Sequence, residues 1–193
     1  RWIIEQTHSV TLAYKPNLAF YESIAGLEAL AETMEYLRIT HPGIVTIADA
    51  KRGDIGNTNE DYAASVFDRL NFDAITLNPY VGKAALSPFL SRQKNGCIIL
   101  CHTSNEGAEE FQGLQLANGE ALWLYIARQV VTRWNDNHNC MLVIGATKPD
   151  VLRQVRQIIG DMPILVPGVG VQGGNLKAVF EAGLTPNANG LIV

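Results

Sequence analysis

Cysteine is scarce in this chain, and neither sign of charge is in large excess. Only Cys97, Cys101 and Cys140 occur in 193 residues. Cys97 and Cys101 fall in an apolar run, without C-x-x-C spacing or a nearby histidine pair. Neither a disulfide framework nor a zinc site is expected; buried thiols in a reducing cytoplasm are. The formal net charge of −4 supplies no global attraction to nucleic acid or to an anionic membrane. An anionic ligand must therefore be held by locally placed cations and backbone N–H groups. No apolar stretch reaches ~18 residues, the length of a membrane span, and no secretion leader is recognisable. Linkers and low-complexity tracts are missing too, and no Gly-x-Gly-x-x-Gly follows an early strand. His8, His41, His102 and His138 are scattered without ligand spacing, so no metal site is expected.

What is present is a rhythm. Apolar residues make up 47% and charged residues 18% of the chain, the balance of a folded domain with a sizeable core. Short β-branched runs recur at 10–14, 44–50, 74–78, 97–101, 141–146, 163–166 and 190–193. Their near-continuous hydrophobicity suits parallel strands covered on both faces. Between them lie stretches with helical spacing, such as Leu27, Leu30, Met34 and Leu37, or Leu124, Ala127, Val131 and Trp134. His41-Pro42-Gly43 is a helix stop, and the run from Asn57 to Glu60 is a helix entry.

Strand and helix in alternation imply an α/β fold with a parallel sheet. The reading is a single (β/α)₈ TIM-barrel domain over residues 1–193. Such a barrel needs eight strands, and seven runs are visible, with a helix over residues 1–9 standing before the first. The first strand is therefore expected to precede Arg1 and the last helix to follow Val193, which makes these residues a fragment. An open doubly wound sheet is the alternative. It is disfavoured because the candidate functional residues follow many strands and do not gather at one switch point.

The most informative segment is Asp49-Ala50-Lys51-Arg52-Gly53-Asp54-Ile55-Gly56-Asn57-Thr58, directly after the apolar run Ile44–Ala48. Residues two apart on a strand share a side, so Asp49 and Lys51 are expected to project together from the strand's carboxyl end, where active sites of this fold are built. A single Asp–Lys pair reads as a weak surface ion pair. Four charges within six residues do not. Lys15, in Tyr14-Lys15-Pro16-Asn17 at the end of the preceding strand, is expected beside them, so that two lysines and the carboxylates of Asp49 and Asp54 alternate. An ammonium aimed at a carbon that loses CO₂ stabilises the carbanion and delivers a proton. One carboxylate holds that ammonium in place. A second, facing the substrate's carboxylate, disfavours the ground state.

Lys15 together with Asp-x-Lys-x-x-Asp-Ile-x-x-Thr at 49–58 resembles the orotidine 5′-monophosphate decarboxylase family, in its longer bacterial subgroup. The likeness continues through Lys15–Phe20, Asn78-Pro79-Tyr80, Thr103-Ser104-Asn105 and the glycine-rich run Pro167–Gly174. It implies conversion of OMP to UMP and CO₂ without a cofactor. Lys51 would be the proton donor to C6, and Lys15 and Asp49 would complete the charge network. Asp54, Ile55 and Thr58 would reach into the site of the second subunit of a homodimer. Ser104 would contact the pyrimidine, with Asn17 and Thr103 nearby. Pro167, Gln172 and Gly173 would line the substrate site, Gln172 against the phosphate. The glycine-rich loop, lying between a strand and a helix, suits backbone N–H contacts to phosphate. Two departures, His102 and Glu106, bear on the stiffness of a loop. The family's ribose-binding aspartate and phosphate-gripping arginine are expected before Arg1 and after Val193.

Two rivals stand beside this reading. One is a Mg²⁺-dependent sugar-phosphate decarboxylase or aldolase of the same superfamily, which shares Asp-x-Lys-x-x-Asp. The other is a non-catalytic nucleotide-phosphate binding barrel. Elsewhere, Trp2, Trp123 and Trp134 read as packing residues, and Arg153 and Arg156 as a solvated helix face.

Overall fold

The structure, a computed structural model, describes residues 1–170 and 173–193. Seven strands form in the seven expected runs: β1 (Ala13–Tyr14), β2 (Val45–Arg52), β3 (Ala74–Leu77), β4 (Gly96–His102), β5 (Cys140–Ile144), β6 (Ile164–Leu165) and β7 (Leu191–Ile192). They follow one another in chain order across the sheet, and every pair whose register is described is parallel. Sequential order without reversal is the α/β barrel class and excludes the doubly wound alternative, whose order turns back at a switch point.

Contacts divide the chain into two compact units, Arg1–Cys97 and Ile98–Val193. In the first, helices α1 (Trp2–Thr7), α2 (Leu18–Ser23), α3 (Leu27–Thr40), α4 (Asn57–Ala63) and α5 (Gly82–Leu90) alternate with the strands. Ile47, Ala48, Ile75 and Leu77 are buried on the strands, and Leu30, Met34, Leu37, Val66, Leu86 and Phe89 are buried on the helical segments. In the second, α6 (Ala108–Phe111), α7 (Leu122–Gln129), α8 (Pro149–Ile159) and α9 (Leu176–Gly183) do the same. There the core comprises Ile98, Ile99, Leu142, Ile144, Leu152, Val155, Ile159, Ile164 and Val179. Among the described residues no helix is long and apolar enough to cross a membrane.

Several details depart from expectation. Val10 lies in a 3-10 turn, His8–Val10, so β1 is shorter than its apolar run. Leu27 is exposed at the first turn of α3, leaving Leu30, Met34 and Leu37 as its buried face. On α7 and the helical segment that continues it (Val130–Trp134) the buried ridge is Trp123, Ala127 and Val130, because covering an indole removes more apolar area from water than covering Leu124. Trp134 is half-buried. Trp2 is 75% exposed and is no packing residue; α1 buries Ile4, and residues two apart on a helix face away from each other.

Arg156 is the clearest correction. Its guanidinium is half-buried and donates to four carbonyls, those of Gly160, Met162, Gly183 and Gly190, at 2.7, 2.7, 2.7 and 2.9 Å. It therefore joins the end of α8, the end of α9 and the approach to β7. Burial holds its pKa below the usual arginine value. Arg153 does face solvent, in an i,i+3 pair with Asp150. Arg156→Met is expected to destabilise the fold by about 1–3 kcal/mol, since it leaves part-buried carbonyls without their donor. Arg153→Ala is expected to stay within about 0.5 kcal/mol. Urea unfolding of the two variants makes the comparison.

Candidate active site

The carboxyl end of β2 is irregular, and the irregularity sets the site. Register between β2 and β3 shifts between Ala48 and Arg52. In that interval Thr76, on β3, places its hydroxyl oxygen where it accepts from the N–H groups of Ala50 (3.0 Å) and Lys51 (2.9 Å). Lys51 adopts φ +48°, a left-handed conformation uncommon outside glycine and concentrated at functional sites. The simple alternation expected of a strand therefore breaks at Lys51. Its side chain nonetheless turns back to Asp49.

Asp49 is the hub. Lys15 Nζ donates to Oδ2 at 2.7 Å and Lys51 Nζ to Oδ1 at 2.5 Å. Its side chain is 10% exposed, against 32% for Lys15 and 50% for Lys51. Burial alone would raise the Asp49 pKa; the two lysine hydrogen bonds and charges outweigh it and hold the carboxyl below its ordinary value. The backbone supports the array as well. Asp49 N–H donates to the Pro16 carbonyl at 3.0 Å, and Asn17 bridges Asp49 in parallel register.

Asp54 does not join this cluster within the chain. Its carboxylate accepts from the Ile55 N–H at 2.8 Å, and among the described residues no ion pair links it to either lysine. Its backbone is fixed by the fully buried Asn59, which accepts from Asp54 N–H at 3.1 Å and donates to the Asp54 and Ala85 carbonyls. Ile55 is 67% exposed, and Thr58 is half-buried in the first turn of α4. Asn17 caps α2 through its side-chain oxygen.

In the second unit, Thr103 and Ser104 follow β4. Thr103 is tied to Gln112, whose Oε1 accepts from Thr103 N–H at 2.8 Å and whose Nε2 donates to its hydroxyl at 2.9 Å. His102 is 1% exposed and donates from Nδ1 to the Thr103 carbonyl at 3.1 Å, while its Nε2 lies 3.4 Å from a Glu109 oxygen that also binds Lys148 at 2.5 Å. Burial lowers the His102 pKa, against the opposing pull of Glu109. Ser104 packs on Gly145, where an added Cβ would lie 2.8 Å from the Ser104 nitrogen.

The glycine-rich loop differs from expectation. The N–H groups of Gly170, Gly173 and Gly174 bond to the carbonyls of Gly174, Gly170 and Gly168. These three donors close the loop on itself and do not face outward toward an anion. Pro167 is half-buried, its carbonyl accepting from Ala146 N–H at 2.9 Å, and Gly173 sits at φ +86°. Gln172 lies outside the described residues. Sequence reasoning missed Thr76 and Asn59. The signal for Thr76 was a lone hydroxyl inside the apolar run Ala74–Leu77; Asn59 read only as part of a helix entry. His8 and His41, far apart in sequence, stack with ring centroids 4.3 Å apart. Cys97, Cys101 and Cys140 are buried and form no disulfide, and burial pushes the Cys101 pKa up to about 12.

A parallel α/β fold with a carboxylate holding two ammonium groups at a strand's carboxyl end suits a lyase that acts on an anionic substrate. Comparisons with known proteins specify it further. The family model described as "Orotidine 5'-phosphate decarboxylase / HUMPS family" matches residues 1–188, and the chain belongs to this family. It is 45% identical over 191 residues to the orotidine 5′-phosphate decarboxylase of Cellvibrio japonicus, an alignment covering 99% of this chain and 70% of that one. With the Herpetosiphon aurantiacus enzyme of the same name it shares 50% identity over 182 residues, 93% and 67% of the two chains. Among solved structures, Leishmania donovani OMP decarboxylase superposes with a TM-score of 0.91 at 40% identity, covering 98% of this chain and 74% of that one. Leishmania donovani UMP synthase gives 0.94 at 42% identity, and there the chain spans 42% of the other's length.

Two outcomes follow from this geometry. A carboxyl with a depressed folded-state pKa stabilises the fold above its unfolded pKa and loses that contribution as pH falls through the folded value. The stability difference between the protein and Asp49→Asn should therefore be flat at neutral pH and change only below about pH 4, which denaturant titrations across that range will read. Gly145→Ala should displace the Ser104 backbone, costing about 1–3 kcal/mol; a thermal melt tests it.

Proposed function

We propose that the chain decarboxylates OMP to UMP, with Lys51 as the proton donor. The C6–carboxylate bond breaks and its electron pair stays on C6 as CO₂ leaves. Lys51 Nζ gives a proton to that carbon, and the neutral amine then recovers a proton from solvent. Asp49 holds Lys51 and Lys15 at fixed separation, so positive charge is already aimed when the carbanion develops and little reorganisation is needed. The observation that carries this reading is the Lys15–Asp49–Lys51 bridge at 2.7 and 2.5 Å.

Asp54, Ile55 and Thr58 act across the interface of a homodimer, in the partner's site. This is supported by an Asp54 carboxylate outside the lysine cluster and by the exposure of Ile55. Ser104, with Asn17 and Thr103, meets the pyrimidine; Pro167, Gln172 and Gly173 line the substrate site, with Gln172 toward the phosphate. The three buried thiols accord with a cytoplasmic enzyme.

Lys51→Ala should lower kcat by about 10²–10⁴-fold or more while UMP still binds, measured by the absorbance change on decarboxylation and by UMP titration. Equal turnover in the variant would overturn Lys51 as the donor, whereas UMP binding without CO₂ release by the unaltered protein would leave a non-catalytic nucleotide-binding barrel. Loss of turnover in EDTA, restored by Mg²⁺, would favour the sugar-phosphate enzymes of the superfamily.

A further inference from the structure

At the other end of the first unit, shortly before β2 begins, three side chains with metal-ligating atoms converge. Glu5 lies on α1, His8 is its C-cap, and His41 is the C-cap of α3. One ligand atom from each lies within 4.8 Å of the other two. Glu5 Oε1 stands 3.2 Å from His41 Nε2, about the separation of two ligands that share one tetrahedral zinc ion.

We propose that Glu5, His8 and His41 form a binding site for a divalent late transition metal of the zinc type, separate from the decarboxylation site. The ligand set, two imidazoles and one carboxylate, is one zinc accepts with a fourth position left to water. Glu5 and His8 are three residues apart and so share a face across the end of α1. Tyr36 donates its hydroxyl to Glu5 Oε1, the kind of outer partner that fixes a ligand's orientation.

Electrostatics point the same way. Both histidines stand where helices end, α3 being 14 residues long, and a helix C-terminus carries partial negative charge that favours a cation. The hydrogen bonds from Tyr36 and His41 keep the Glu5 carboxyl below its ordinary pKa, so it is anionic. Arg1 is the opposing charge, its guanidinium lying 5.2 Å from the Tyr36 ring centroid. The His8 ring now stacks on His41 at an interplanar angle of 25°. Near-parallel rings cannot direct both lone pairs at one ion, so binding turns the His8 ring out of the stack.

The test uses the 193-residue protein and Co²⁺ or Zn²⁺ alone. Co²⁺ should bind at one site, reversibly with EDTA, and give the visible spectrum of nitrogen and oxygen ligands. Affinity should fall at least about tenfold in His8→Ala, His41→Ala and Tyr36→Phe, and stay unchanged in His138→Ala. Should the variants fold poorly, paramagnetic broadening by Co²⁺ of the His8 and His41 imidazole signals in the unaltered protein, with His138 spared, gives the same answer. A sulfur-to-metal charge-transfer band, undiminished affinity in His8→Ala and His41→Ala, or no saturable binding would overturn the proposal.

Discussion

Two ammonium groups repel each other, and holding both at the ends of two adjacent strands requires an anion between them. Asp49 is that anion. Each of its carboxylate oxygens takes one lysine, Lys15 from the end of β1 and Lys51 from the end of β2. Shielding from water strengthens these contacts, since charges in a low-dielectric setting interact far more strongly than in bulk solvent. The same burial makes a lone Asp49 costly, so carboxylate and lysines stabilise one another as a set.

Much of the local structure can be understood as support for this triad. The break in register between β2 and β3 frees two backbone N–H groups, and the Thr76 hydroxyl accepts both. That contact holds Lys51 in a left-handed conformation it would not favour alone. Pro16 and Asn17 align the end of β1 against Asp49. Asn59 does the corresponding work for Asp54, fixing its backbone while leaving the carboxylate outside the lysine cluster. A rigid frame fixes these charges in advance, and preorganised charge is a general means by which proteins lower a reaction barrier.

The second unit shows the same economy in a different form. His102, Glu109 and Lys148 connect the end of β4 to α6 and to the segment before α8, while Gln112 clasps Thr103. Arg156 secures the turns after α8 and α9 through four carbonyls. Here polar side chains satisfy backbone groups that loops leave unpaired, which buried turns require.

Strand identity was legible in the sequence because parallel strands covered on both faces are written as apolar runs, and all seven appear where those runs lie. The charged decapeptide that runs through the end of β2 pointed to the candidate site, since charge on the end of a buried strand has few other reasons to be there. Local pattern cannot report what depends on distant neighbours. The bulge that Thr76 stabilises, the burial of Trp123 over Leu124, the carbonyl contacts of Arg156 and the internal closure of the glycine-rich loop each depend on groups brought together by folding. The meeting of His8 with His41, 33 positions apart, is of that kind too: sequence spacing reports ligand geometry within one element, while two helix ends meet only once the sheet between them has formed.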